Sequence, residues 1–302
     1  MIVVLGTPLN ASPKPWLYFP VPALMINALE VRKDPRAVLG YEGELWIDSG
    51  GFQILRKGID VDMDKIIQKY RDVDAQAYLA LDVPPSPADG PHDAEKKMEK
   101  TYRNWEKMRK ALGDSVIPVL HVTPHPHLFF KYLEKYAEAP ALAIGGAVPY
   151  VLVTRGVPRG SRAYALRLIK EARERYRGRL HVLGLGSPSV TPLLEALGAD
   201  STDTATWRVK AAYGKVILPG GGERHVTQRT VNFGKAKPKD GELEELYQYL
   251  KETGFPHLQD FHTRIQTSFE YRALVNAWVV LHPTRRPRPQ AFSRIYQQIA
   301  KT

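Results

Sequence analysis

Cysteine is absent from this 302-residue sequence. That excludes disulfides, a cysteine nucleophile and any thiolate zinc site. No apolar run approaches the roughly 20 residues that a membrane span requires. The start, Met1-Ile2-Val3-Val4-Leu5-Gly6, lacks a basic leader and reads as a first strand. The expected location is therefore cytoplasmic, with no membrane partner. Acidic residues are outnumbered, 32 against 43 Lys and Arg, for a net charge of +11. The deficit is uneven: residues 1–203 carry 27 basic and 24 acidic residues, and residues 204–302 carry 16 and 8. A localised basic excess fits a polyanionic partner such as nucleic acid, and equally a solvated basic face.

Otherwise the composition is that of a globular chain, 43% hydrophobic and 25% charged. The organising stretch is Trp46-Ile47-Asp48-Ser49-Gly50-Gly51-Phe52-Gln53. A short apolar run stops at a carboxylate and breaks into a glycine pair, where backbone can approach a ligand closely. Similar runs recur downstream. Ala77 to Leu81 ends at Asp82 and a proline loop, and Val116 to Val122 passes through His121. Ala141 to Ile144 stops at Gly145-Gly146. Leu180 to Leu185 leads, through a short helix near 190–197, to Ala199-Asp200-Ser201-Thr202-Asp203. Helical spacing fills the intervals at 62–72, 93–112, 127–138 and 161–177. Residues 6–25, rich in Pro and aromatics, read as irregular, Tyr213 to Leu218 as a further strand, and 222–241 as a long loop.

Apolar strands alternating with helices specify a parallel sheet covered on both faces. Six or more such units favour a (β/α)8 TIM-type barrel over an open sheet. The expectation is one domain over residues 1–302. Residues 1–221 form its catalytic core, and 222–302 complete it as a loop and a helical, basic C-terminal part.

Asp48, Asp82 and Asp203 fall at or just past strand C-ends, which converge on one face of a barrel. Two converging carboxylates suit chemistry at an acetal-like carbon, and a third suits the N–H edge of a ring such as guanine. Taken singly, each could be a loop cap. Gly184-Leu185-Gly186 lacks the third glycine of a dinucleotide fingerprint. His121, His125 and His127 have no accompanying acid pattern, so no metal ligand set is expected. Phe52, Tyr78 and Tyr150 could stack a base or serve as core.

Together these motifs resemble the guanine transglycosylases, which exchange guanine for a 7-deazaguanine base in tRNA, and their DNA-modifying relatives. The stretch Asp48-Ser49-Gly50-Gly51-Phe52-Gln53 carries the resemblance most specifically. Leu79-Ala80-Leu81-Asp82, Ile144-Gly145-Gly146-Ala147-Val148, His181-Val182-Leu183-Gly184-Leu185-Gly186 and Gly198-Ala199-Asp200-Ser201-Thr202-Asp203 follow in order. The resemblance implies that Asp203 is a nucleophile attacking C1′ and that Asp48 takes the proton of the incoming base. Asp82 reads the guanine-like edge, and Ser49, Gly50, Gly51, Phe52, Gln53, Gly145, Gly146 and His121 line the base pocket. It implies no cofactor. The expected partners are a nucleic acid, DNA or tRNA, and a free 7-deazaguanine base of the preQ0 type; a homodimer is compatible. The basic C-terminal third, with Arg264, Arg272, Arg285, Arg286 and Arg288, would hold phosphates.

Two departures stand out. Members acting on tRNA carry a three-Cys, one-His zinc site after the nucleophile, which this chain cannot build in that form. His121 stands where the family has a base-binding Gln. Both turn the expectation from tRNA towards DNA. The alternatives are a tRNA-guanine transglycosylase proper, a glycosidic-bond hydrolase and a non-catalytic nucleic-acid-binding barrel.

Overall fold

The computed structural model describes residues 1–302 except 33, 52–61, 153–156, 158–159, 229–235, 285–293, 295–296 and 298–302. Its centre is a sheet of nine parallel strands: β1 (Ile2–Gly6), β2 (Ala23–Asn27), β3 (Glu44–Asp48), β4 (Ala77–Leu79), β5 (Val116–Ile117), β6 (Val119–His121), β7 (Ala141–Gly145), β8 (Arg179–Val182) and β9 (Ser201–Thr204). Their order is β5-β4-β3-β2-β1-β9-β8-β7-β6. Only Pro118 separates β5 from β6. Proline has no N–H to give a ladder, yet its carbonyl accepts from Ala143 at 2.9 Å. The two pieces thus share one place in the ring, nine strands fill eight positions, and the sheet closes into the expected (β/α)8 barrel.

Strand periodicity decides what faces inward. Val4, Ala23, Met25, Trp46, Ala77, Leu79, Ile117, Val119 and Ala143 pack together inside the barrel. The alternate residues, among them Leu5, Leu24, Ile47, Leu120, Ile144 and Val182, join the larger core under the helices. Following the inward parity to the strand ends brings out Asp48 after Trp46, His121 after Val119, Gly145 after Ala143, and Asp203 after Ser201.

The helices follow the sequence reading closely: Met63–Arg71, Pro91–Leu112, Pro126–Lys135, Ser161–Arg175 and Thr191–Ala196. Three expectations need correction. Residues 6–25 are not irregular throughout, because β2 begins at Ala23; the prolines before it hide a short apolar run. The strand inside Tyr213–Leu218 is Lys215–Ile217, but it lies outside the barrel, in an antiparallel pair with Glu223–His225. The loop expected over 222–241 therefore opens with a strand.

The helix Phe269–Leu281 packs on the helix Thr206–Ala212, on β1 and on the hairpin. Asn276, fully buried, joins them. It accepts from Ile217 N–H at 2.7 Å and donates to the carbonyls of Trp207 and Lys215 at 3.1 and 3.0 Å. Among the described residues, no helix is long and apolar enough to cross a membrane.

Candidate active site

β3 delivers Asp48 beside Asn27, its partner in the register at the end of β2. Ser49 follows, 1% exposed, its hydroxyl accepting from Gly51 N–H at 3.3 Å. Gly50 has φ +74°, where an L side chain is strained, and a Cβ there would lie 2.7 Å from Asn27 Oδ1. Gly51 is needed for space: a Cβ on it would fall 2.1 Å from Asp82 Oδ1 and 2.6 Å from the Asp82 carbonyl. The glycine pair thus lets the β3 loop lie directly against Asp82.

Asp82 is held from the other side by His121, Nε2 to Oδ2 at 2.8 Å. His121 is 1% exposed, and among the described residues its buried Nδ1 has no hydrogen-bond partner. Gly145 lies opposite His121 in the β6–β7 register, and a Cβ on it would come 3.2 Å from His121 Cδ2. Gly146 turns away at φ +69°.

Asp203 sits on β9 with Oδ1 accepting from the Gly184 N–H at 2.7 Å and lying 3.2 Å from His181 Nε2. His181 Nδ1 is 2.8 Å from Ser201 Oγ, and its ring packs on Trp46 at 4.7 Å between centroids. Asp48 and Asp203 line one cavity of about 270 Å³ together with Gly6, Asn27 and Arg208.

Burial, then the charges of Asp82 and Asp203, push the Asp48 carboxyl up to about 7, against partial relief from the N–H groups of Gly50 and Ser49. A carboxyl poised near neutrality can both give and take a proton.

The expected residues do not all gather here. Asp48, Ser49, Gly50, Gly51, Asp82, His121, Gly145, Gly146 and Asp203 come together at the strand C-ends. Phe52, Gln53, Arg285, Arg286 and Arg288 lie outside the described residues. Tyr78 is core, stacked on Tyr70 with its hydroxyl donating to the Val73 carbonyl. Arg264 stacks on Tyr271 at 4.2 Å. The expectation for Arg272 is corrected. It is 6% exposed, and its guanidinium donates to the carbonyls of Ala211, Ile265 and Gln266, so it caps neighbouring backbone from within. Sequence reasoning missed Trp46, Ser201 and the role of His181. The available signal was a histidine in the otherwise apolar run Leu180 to Leu185.

No family model matches the chain. An uncharacterised protein of Sulfolobus islandicus rod-shaped virus 1 is 27% identical over 261 residues, which are 85% of this chain and 75% of that one. A tRNA-guanine(15) transglycosylase of Korarchaeum cryptofilum is 29% identical over 213 residues, 68% of this chain and 35% of that protein. One from Nanoarchaeum equitans is 28% identical over 184 residues, 60% and 44% respectively. The chain is thus similar to named guanine transglycosylases over about two thirds of its length. It spans less than half the length of these two transglycosylases.

A zinc site of three Cys and one His cannot form in this chain, which has no cysteine. Beyond β9 the hairpin is held by buried Lys215, 2.6 Å from Glu223, which Lys210 also pairs. His225 there has Lys237 at 3.1 Å, and burial and then the Lys237 charge lower its pKa. Ammonium groups occupy the hairpin where a cation would need anionic donors. Among the described residues, no three His, Asp or Glu converge as a metal set.

Proposed function

We propose that this chain exchanges guanine in a nucleic acid for a 7-deazaguanine base, through a covalent bond to Asp203, with DNA favoured over tRNA. The observation that carries the reading is the shared cavity of Asp48 and Asp203, in which one carboxyl titrates near 7 and the other is bound through one oxygen. In the first half, Asp203 attacks C1′, the C1′–N9 bond breaks, and Asp48 gives its proton to departing guanine. In the second, the incoming base attacks C1′ and loses its N9 proton to Asp48, and the Asp203 carboxylate is released. Asp82, with Oδ2 towards His121, reads the guanine-like edge of both bases, beside Ser49 and the Gly145-Gly146 backbone. The target nucleotide must leave any base stack to reach a site at the barrel mouth. The preference for DNA rests on the absence of cysteine, which rules out the three-Cys, one-His zinc site that tRNA-acting guanine transglycosylases carry.

The test incubates the protein with labelled guanine, or a labelled 7-deazaguanine base, and with duplex DNA or tRNA. Label is expected in the polymer, and more in DNA. Label in neither polymer overturns the proposal, and guanine released without incorporation points to hydrolysis.

Gly51→Ala tests the pocket. Its methyl must displace Asp82, and overpacking of this kind costs about 1–3 kcal/mol. The KM for the free base should rise roughly 10- to 100-fold, alongside a fall in stability of about 1–3 kcal/mol. An unchanged KM would remove Asp82 from base recognition.

A further inference from the structure

Resting on the base-exchange reading, we propose that His181, held by Ser201, is a positioning residue that selects which oxygen of Asp203 attacks. β8 and β9 pair His181 directly with Ser201. Both are buried, at 2% and 7% exposure, and the imidazole is braced on Trp46. A carboxylate only accepts, so the ring nitrogen facing Asp203, Nε2, carries a proton. Nδ1 then accepts from the Ser201 hydroxyl at 2.8 Å. The chain Ser201 O–H to His181 Nδ1, and His181 Nε2–H to Asp203 Oδ1, specifies a single tautomer.

Asp203 Oδ1 thus takes two donors, the imidazole and the Gly184 amide. Among the described residues, Oδ2 accepts no hydrogen bond. The oxygen without a protein donor keeps its lone pairs for C1′, and the carboxylate plane is held by the other. When the Oδ2–C1′ bond forms and C1′–N9 breaks, the negative charge on Asp203 disappears and N9 takes the Asp48 proton. When Oδ2–C1′ breaks again, the charge returns to the carboxylate, and the two N–H groups at Oδ1 stabilise it. His181 therefore assists attack by orientation and release by charge stabilisation, without touching sugar or base.

The experiment compares His181→Phe, His181→Gln and Ser201→Ala with wild type, using the polymer that wild type labels. For His181→Phe, kcat should fall about 10- to 100-fold, with KM for polymer and base within about threefold. His181→Gln, which offers an amide N–H in place of Nε2–H, should recover most of that loss, and Ser201→Ala should be intermediate. Nitrogen-15 NMR of wild type should find Nε2 protonated and Nδ1 bare, a pattern lost in Ser201→Ala. A wild-type kcat for His181→Phe overturns the proposal, as does a His181→Gln no better than Phe. If the Phe variant fails to fold, an unimpaired Ser201→Ala with an unchanged tautomer overturns it. If wild type labels no polymer, the base-exchange reading falls on its own. The NMR then still decides the contact: a His181 Nε2 signal unmoved by Asp203→Asn overturns it.

Discussion

Replacing Asp203 by Asn is expected to abolish base exchange while leaving the fold intact. An amide retains a carbonyl oxygen for the Gly184 N–H, 2.7 Å from Asp203 Oδ1 in the native protein, and for His181. It puts an NH₂ in place of Oδ2, and an amide nitrogen does not displace a base from C1′. Loss of a covalent nucleophile costs on the order of 10⁴-fold or more. Wild type mixed with its polymer should give a denaturant-resistant adduct on a gel, and the Asn variant none. Incorporation by the variant within about tenfold of wild type would take the nucleophile's role from Asp203. The substitution also removes one of the charges that raise the Asp48 pKa, so Asp48 should titrate lower in the variant.

Asp48→Asn is expected to pull activity and stability in opposite directions. Proton transfer by a positioned group contributes about 10²- to 10⁴-fold, and exchange should fall by that order. The stability sign follows from linkage. Folded Asp48 keeps its proton up to about pH 7, while an unfolded aspartate loses it near 4. Between those values the folded state binds more protons, so stability falls as pH rises and stays low above 7. Asn has no charge to bury. At pH 8 the variant should be more stable by up to about 4 kcal/mol, at 1.36 kcal/mol per pKa unit; at pH 4 the two should melt alike. Paired thermal melts across this range check it, and a variant less stable than wild type at pH 8 would contradict burial of an ionised Asp48. In wild type, kcat/KM for the polymer should decline above about pH 7, where free Asp48 has no proton for the departing guanine; a profile flat to pH 9 would assign that proton elsewhere.

Much of the fold was legible because its code is local. Apolar runs stopping at Asp48, Asp82 and Gly145 mark strand C-ends, and strand parity turns Asp48, His121 and Asp203 inward. β2 was obscured because prolines crowd its approach. β9 reads Ser-Thr-Asp-Thr, and its hydroxyls are satisfied across the sheet, as where Thr202 Oγ1 donates to the Val182 carbonyl; a polar strand of this kind has no hydrophobic signature. Arg272 resembles any exposed arginine in sequence, yet three backbone carbonyls brought together by helix packing fill its guanidinium.

The sequence by itself determined where the acids and glycines stand along the chain, since propensity and periodicity act over a few residues. It determined too that no thiolate could bind zinc. Only the tertiary structure decided what those groups do to one another: that Gly51 must be bare to admit Asp82, that a histidine held by a serine on the neighbouring strand binds one oxygen of Asp203, and that burial and nearby charge push the Asp48 carboxyl up to about 7. Desolvation and charge are sums over neighbours in space, and the neighbours of Asp48 that matter lie 34 and 155 residues further along the chain, at Asp82 and Asp203.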